Sequence, residues 1–320
     1  MINLRYHIVS LVAVFLALGM GIVMGSTVID RVTVDALNAK LDDVQNSTNG
    51  IRDDNGRLRG QVRQGEDFAE TTRDQLLRGH LRGVPVMIVA VSGVDSGPVE
   101  ELRDALVTAQ ATFEGTVWFT SKMRLANDGD VRALATALDL AVDRADVVRR
   151  QALARLVVPR DPSAAEPSAL ASLSAAGFVT YDPPPPVPSS TGGGASTATS
   201  VPPTLAALPL PGTRYVVVSG AGAQVGDDLA AVPFVQVASQ GSGRVVAAES
   251  GQDSDGGRAV FVGLLRGDPV VSTRVSTVDN LESPMGQTAA VLAVEELAVP
   301  RFGHFGVGPG AQRILPAPAA

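Results

Sequence analysis

Between Ile8 and Ile29 the chain reads IVSLVAVFLALGMGIVMGSTVI, 22 residues without a formal charge. A helix rises about 1.5 Å per residue, so this run would extend roughly 33 Å and cross a hydrocarbon core about 30 Å thick. A cleaved secretory signal is the alternative. The run is longer than a signal core and lacks an Ala-x-Ala cleavage site, which favours a retained transmembrane helix over 8–29. Arg5 and the amino terminus favour a short cytoplasmic tail at 1–7, although Arg31 and Lys40 weaken the charge contrast. The expected protein is single-pass in the cell membrane, with a large extracytoplasmic C-terminal region.

Ala17, Gly21 and Gly25 recur every fourth residue and form a strip along which two anchors can approach closely. Met20 and Met24 lie one turn apart. Two thioethers are a sparse donor set for a soft metal, and lipid-facing or packing methionines explain them with fewer assumptions.

Beyond the anchor, Val34, Leu37, Leu41, Val44, Thr48, Ile51, Asn55, Leu58 and Val62 follow one another at alternating steps of three and four, with largely polar residues between them. That period predicts a coiled coil over 30–82 and hence self-association, with Leu37, Leu41, Val44, Ile51, Asn55, Leu58 and Val62 at the interface. Asn55 falls at an a-type position, alongside a-type Leu41 and Val62, where a buried amide fixes the alignment of a parallel dimer. Core spacing does not separate a homodimer from a pair with another protein's helix. Gly50, Gly56, Gly60 and Gly65 lower helix propensity, and the seam weakens toward Ala69, Thr72 and Leu76, so an interrupted or frayed rod is expected to end near Arg82. The charges from Asp30 to Arg82, ten acidic and nine basic, read as solvated flanks.

From Val84 the pattern becomes that of an α/β domain. VPVMIVAV predicts a buried strand and the stretch from Pro98 a helix. GTVWFT predicts a second strand, and helices are expected over 131–154 and 168–176. After a spacer, strands are expected at 215–220, 244–248 and 270–278, and a helix at 286–297. The spacer, 183–213, has 31 uncharged residues, nine of them proline, and reads as a disordered linker or insertion. The expectation is one Rossmann-like external domain, its first part 83–182 and its second 214–311, with a flexible tail at 312–320. Two small related halves are the alternative, although each alone would have a modest core.

Composition narrows the chemistry. There is no cysteine, which removes disulfides, thiolate metal sites and cysteine nucleophiles. The three histidines, His7, His80 and His304, form no metal motif. A net charge of −7 disfavours nucleic acid as a partner. SGAGAQVG spaces its glycines as Gly-x-Gly-x-x-x-Gly, missing the dinucleotide pattern, and lacks the lysine of a P-loop. No catalytic, cofactor-binding or metal-ligating residue is assigned, and a non-enzyme is expected. Asp95 and Asp279 are expected beyond strand ends, as turn or cap residues or at a ligand crevice, with Asn280 placed to assist Asp279. The loop GHFGVGPG adds His304 and Phe305. Asp279, Asn280, His304 and Phe305 together form a candidate surface or partner site.

MINLRYHIVSLVAVFLALGMGIVMGS, the coiled-coil stretch after it, and VSTVDNLESPMGQTAAVLAVEEL followed by GHFGVG resemble the actinobacterial copper transport protein B family, MctB. The likeness spans almost the whole chain and is weakest over 183–213. It implies an envelope protein associated with copper efflux or tolerance, with copper as the transported species, and a channel-forming role has been proposed for the family. Related proteins also look like single-anchor components of a cell-division or wall-remodelling assembly. A single helix supplies no closed aqueous pore, and the external segments lack the serial strands of a membrane barrel. The residues themselves point to an oligomeric scaffold or adaptor with an envelope partner; an anchored division or wall scaffold without copper transport is the alternative.

Overall fold

The computed structural model describes residues 4–159, 167–185, 204–240, 244–251, 260–299 and 301–317, leaving aside the side chains of 26–35. The seam position Val34 and residues 186–203 of the proline-rich spacer lie outside the described residues. The chain divides into two compact units, 1–65 and 66–320.

The first unit is helical. One helix, α1, runs Leu4–Leu77 without a break. Its stretch Leu4–Gly25 is apolar enough and long enough to cross a membrane, with none of it buried within the protein. The interruptions expected at Gly50, Gly56, Gly60 and Gly65 are not there, because each interior glycine costs a helix only about 1 kcal/mol relative to alanine. The helix stops at Leu77, and turns through Gly83 lead into the sheet.

The second unit is a mixed α/β domain around a seven-stranded sheet. Its elements are β1 (Pro85–Val91), α2 (Ser96–Thr108), β2 (Thr112–Phe119), α3 (Asp128–Ala137), α4 (Ala145–Leu156), α5 (Ala169–Ala175), β3 (Val179–Asp182), β4 (Arg214–Gly220), α6 (Ala231–Ser239), β5 (Val245–Ser250), α7 (Phe261–Gly267), β6 (Ser276–Val278), α8 (Pro284–Glu296) and β7 (His304–Phe305). The strand order is β3-β2-β1-β4-β5-β6-β7. Among the described residues, the β2–β3 pair alone is antiparallel. Strands β1, β4 and β5 are buried over nearly their whole length, as parallel strands covered on both faces must be, and for that reason VMIVAV, YVVVS and VVAA read as unbroken apolar runs. Helices α2 and α8 pack together, and α3 to α7 form a second packed group. The scarce aromatics concentrate in this core: Phe234 of α6 meets Phe119 and Tyr215 edge to face.

Several expected elements changed. The long helix over 131–154 is two helices, α3 and α4, separated at Leu138–Arg144, where Asp139 takes a positive φ of 50°. Of the strand expected over 270–278, only Ser276–Val278 is extended, because Asp268 accepts the amides of Val270 and Val271 and folds the preceding stretch into a turn. The C-terminal end of the spacer is part of the domain: Leu208 is wholly buried, and the Leu205 carbonyl accepts the Ser168 hydroxyl. The tail is tied at its start, where the Gln312 amide bonds His304 O and the Gly306 amide bonds Arg313 O.

The last turns of α1 belong to the α/β unit. Leu77 and Leu81 are wholly buried in its core. Arg73 Nη1 donates to Gln287 Oε1 of α8 at 2.7 Å, and Gln287 Nε2 donates to Glu101 of α2, so a buried amide joins three helices. His80 pairs with Glu295 at 2.8 Å.

Candidate functional site

On α1 the apolar stripe is open. Leu37, Leu41, Val44, Ile51, Leu58 and Val62 are each 51–62 % exposed, far more than core side chains, and they share one face through their steps of three and four. Between them, Thr48 and Asn55 turn their side chains back onto the helix, bonding Val44 O at 2.7 Å and Ile51 O at 2.9 Å. Ala17, Gly21 and Gly25 are likewise exposed, and a methyl group on either glycine would meet nothing within 4 Å.

At the other end of the chain, Asp279 and the glycine loop come together. Asp279 follows β6, and its carboxylate accepts the amides of Val307 at 2.8 Å and Gly308 at 3.0 Å. It also accepts Arg266 Nη1 of α7 at 2.6 Å, the two side chains only 6 % and 7 % exposed. Arg266 spends its other donors on Thr277 Oγ1, Phe305 O and Pro309 O, so its fork clamps strand, loop and carboxylate at once. Gly306 has φ +122°, and a Cβ there would stand 2.1 Å from Asp279 Oδ1; no other residue fits. Thr277 Oγ1 lies 3.0 Å from His304 Nδ1. Burial, and then the Arg266 charge, lower the basicity of His304 and favour the neutral ring.

Of the four residues grouped at this end, Phe305 and Asn280 are 2 % and 6 % exposed, Asp279 is turned inward and His304 is half-buried. Asn280 serves the start of α8 by bonding Ser283 Oγ, while Ser283 caps the helix by accepting the Gly286 amide. The side chain that the loop leaves outside is Val307, 70 % exposed. Arg266 was missed in the sequence because nothing in FVGLLRG marks a partner for an aspartate in the next strand.

The crevice where strand order reverses, between β1 and β4, is where an open α/β sheet normally admits a ligand. Here the two loops close on each other. The Gln224 amide bonds Ser92 O at 2.7 Å, and a Cβ on Gly93 would lie 2.3 Å from Gly222 O. Asp95 caps α2 through the Gly97 amide. Beside this contact, a shallow cavity of about 220 Å³ is bounded by residues 220–223 and 225–227 and by Val260.

Two further carboxyls lie inside the domain. Glu249, at the end of β5, accepts the Val262 amide at the start of α7; burial, with repulsion from Asp227 and Asp279, raises its pKa to about 7. Glu114 is wholly buried in a bulge, where Glu114 and Gly115 stand opposite Met87 alone. Burial raises it to about 7 despite bonds from Thr213 and Leu210. The Thr213 hydroxyl faces both Glu114 Oε1 at 2.6 Å and Leu210 O at 2.7 Å; its single proton serves one, and a protonated Glu114 satisfies the other. Among the described residues, no group of three or more His, Cys, Asp or Glu is placed to hold a metal ion.

The family model described as copper transport outer membrane protein, MctB, matches residues 1–191 and 204–316. Among curated proteins, the copper transporter MctB of Mycobacterium tuberculosis is 25 % identical over 331 residues, covering 98 % of this chain and 99 % of that protein. The copper transporter MctB of Mycobacterium leprae is 27 % identical over 332 residues, with the same two coverages. The match takes in the membrane-length helix, the exposed stripe and the Asp279 loop alike, and the chain belongs to the MctB family.

Proposed function

We propose that this protein is a single-pass envelope protein that acts in copper efflux or tolerance as an oligomeric scaffold or adaptor, with copper the transported species of the assembly it serves. The amino terminus lies in the cytoplasm and the α/β domain outside. Two copies pair in parallel along Leu37–Val62, with the Ala17, Gly21 and Gly25 strip closing the anchors together. The observation that carries this reading is the open apolar stripe on an unbroken helix that also holds the anchor. Anchoring confines two copies to one surface, which raises their effective concentration and favours a modest seam. The strand order, reversing between β1 and β4, supports a Rossmann-like domain whose ligand crevice is filled by its own glycine loops and which therefore presents surface rather than chemistry. The surface of that domain around His304 and the Val307 loop is our candidate for the envelope partner.

The test is crosslinking in intact cells followed by identification of the captured chains. A second copy, or a reproducible envelope protein lost on mutation of the stripe or of Val307, supports the scaffold. Recovery of neither refutes it. Direct movement is tested separately in liposomes, where copper flux above that of a stripe-mutant control is the signature of a channel. A division or wall-remodelling scaffold without copper transport is the alternative, and a deletion strain with altered division and unchanged copper tolerance would select it.

A further inference from the structure

Along α1, the same helical face changes its occupant. From Leu37 to Val62 six of the eight a and d positions carry large apolar side chains, all more than half exposed, and the other two are Thr48 and Asn55. Continued in phase, the seam passes to Gly65, Ala69 and Thr72, and these side chains are too small to fill the holes of a facing helix. Ala69, Thr72 and Arg73 are half-buried, and Leu77 is wholly buried, while Phe68 stays 71 % exposed. A straight helix drifts about 20° per heptad against a strict seven-residue repeat, so over two heptads the covered face moves from the seam toward Arg73 and Leu77. Arg73 is held there by Gln287, itself wholly buried and bonded to Glu101. Small residues that look like a decaying coiled coil thus precede Arg73 and Leu77, the places where α1 settles onto its own domain.

We infer that the pairing surface of α1 ends at Val62, and that from Ala69 onward the same face is committed to the chain's own α/β domain, so that a second copy is gripped only along the membrane-proximal part of the helix. The inference rests on the self-association proposed above, and it adds where the grip stops and why. The Arg73–Gln287–Glu101 chain is the positioning element. Gln287 is wholly buried, and a helix from another copy could not displace Arg73 without taking the partner from its amide oxygen.

Because the chain has no cysteine, single cysteines report cleanly. Full-length Leu41→Cys, Leu58→Cys, Val62→Cys, Ala69→Cys and Thr72→Cys are compared with Arg57→Cys, which lies off the seam, in membranes treated with 4,4′-dithiodipyridine. The expected result is disulfide dimer at Leu41, Leu58 and Val62 about tenfold above Arg57, with Ala69 and Thr72 at the Arg57 level. Dimer at Ala69 and Thr72 matching Val62 overturns the inference. Dimer nowhere above Arg57 refutes the self-association itself. Adding Arg73→Ala loosens the docked end and is expected to raise the Ala69 and Thr72 signal while leaving Val62 unchanged; no rise would show that docking is not what ends the pair.

Discussion

Replacing Asp279 with asparagine isolates the clamp that holds the C-terminal loop. In the native domain, one carboxylate oxygen accepts Val307 and Gly308 amides, and the other accepts Gly308 and Arg266 Nη1. An amide of the same shape keeps one acceptor and turns an NH₂ toward a donor, so either the loop amides or Arg266 lose their partner. Arg266 is only 7 % exposed, and breaking a buried ion pair from one side costs about 3–5 kcal/mol. For a domain of this size 1 kcal/mol moves Tm by about 2–4 °C, so the variant should melt roughly 10 °C below the wild type. The assay is thermal unfolding of the full chain in detergent micelles, read by near-ultraviolet circular dichroism around the single tryptophan. Hydrogen exchange is followed in parallel, and the Val307 and Gly308 amides should lose protection first. A fall in Tm under about 2 °C, with the loop still protected, would refute the view that Asp279 pins it.

The effect of Glu114→Gln on stability should depend on pH. The folded carboxyl, raised to about 7 by burial, keeps its proton where the unfolded one, near 4.5, has lost it; this contribution is full below about pH 4.5 and is lost as pH rises through 7. At pH 8 the glutamine variant should therefore gain up to about 3 kcal/mol, and at pH 4.5 gain nothing or lose slightly, as denaturant titrations would reveal. Ile51→Asp should weaken self-association by about a thousandfold, since each copy forfeits roughly 2 kcal/mol of burial and about 1.4 kcal/mol is a factor of ten; dilution-dependent mass photometry measures this. Asn55→Ile should tighten association while relaxing alignment, so that end-labelled helices give antiparallel as well as parallel energy transfer. Gly306→Ala, placing a methyl against Asp279, should reproduce the loss of loop protection seen in the asparagine variant.

The buried parallel strands were legible because they need to be apolar on both faces; α2 and α8 were legible as helices, although their starts, expected near Pro98 and Gly286, lie two residues earlier, behind the caps Asp95 and Ser283. Helix α6, AVPFVQVAS, hid its nature behind an internal proline and apolar residues on most sides. Strand β7 is two residues long and lies inside what reads as a flexible glycine loop; it pairs with β6, and Arg266, which binds Asp279, also donates to Phe305 O. VVSTRVSTV is as rich in valine and threonine as a strand, yet a single aspartate ahead of it turns the first half away. Of the candidate residues, the α1 stripe was readable as a periodic face, and its apolar members from Leu37 to Val62 are exposed. The Asp279 group was readable as a group but not as buried, because its burial depends on Arg266, which local spacing cannot connect to it. The change of occupant along α1 was visible only as a weakening seam.

The most direct test of the account is the mass of the full-length protein in detergent, measured across a concentration series for the wild type and for Ile51→Asp. The account predicts a wild-type dimer that dissociates on dilution, and a variant that stays monomeric with unchanged far-ultraviolet circular dichroism. A wild type that is monomeric at every concentration, or a variant that dimerises as tightly as the wild type, would contradict it.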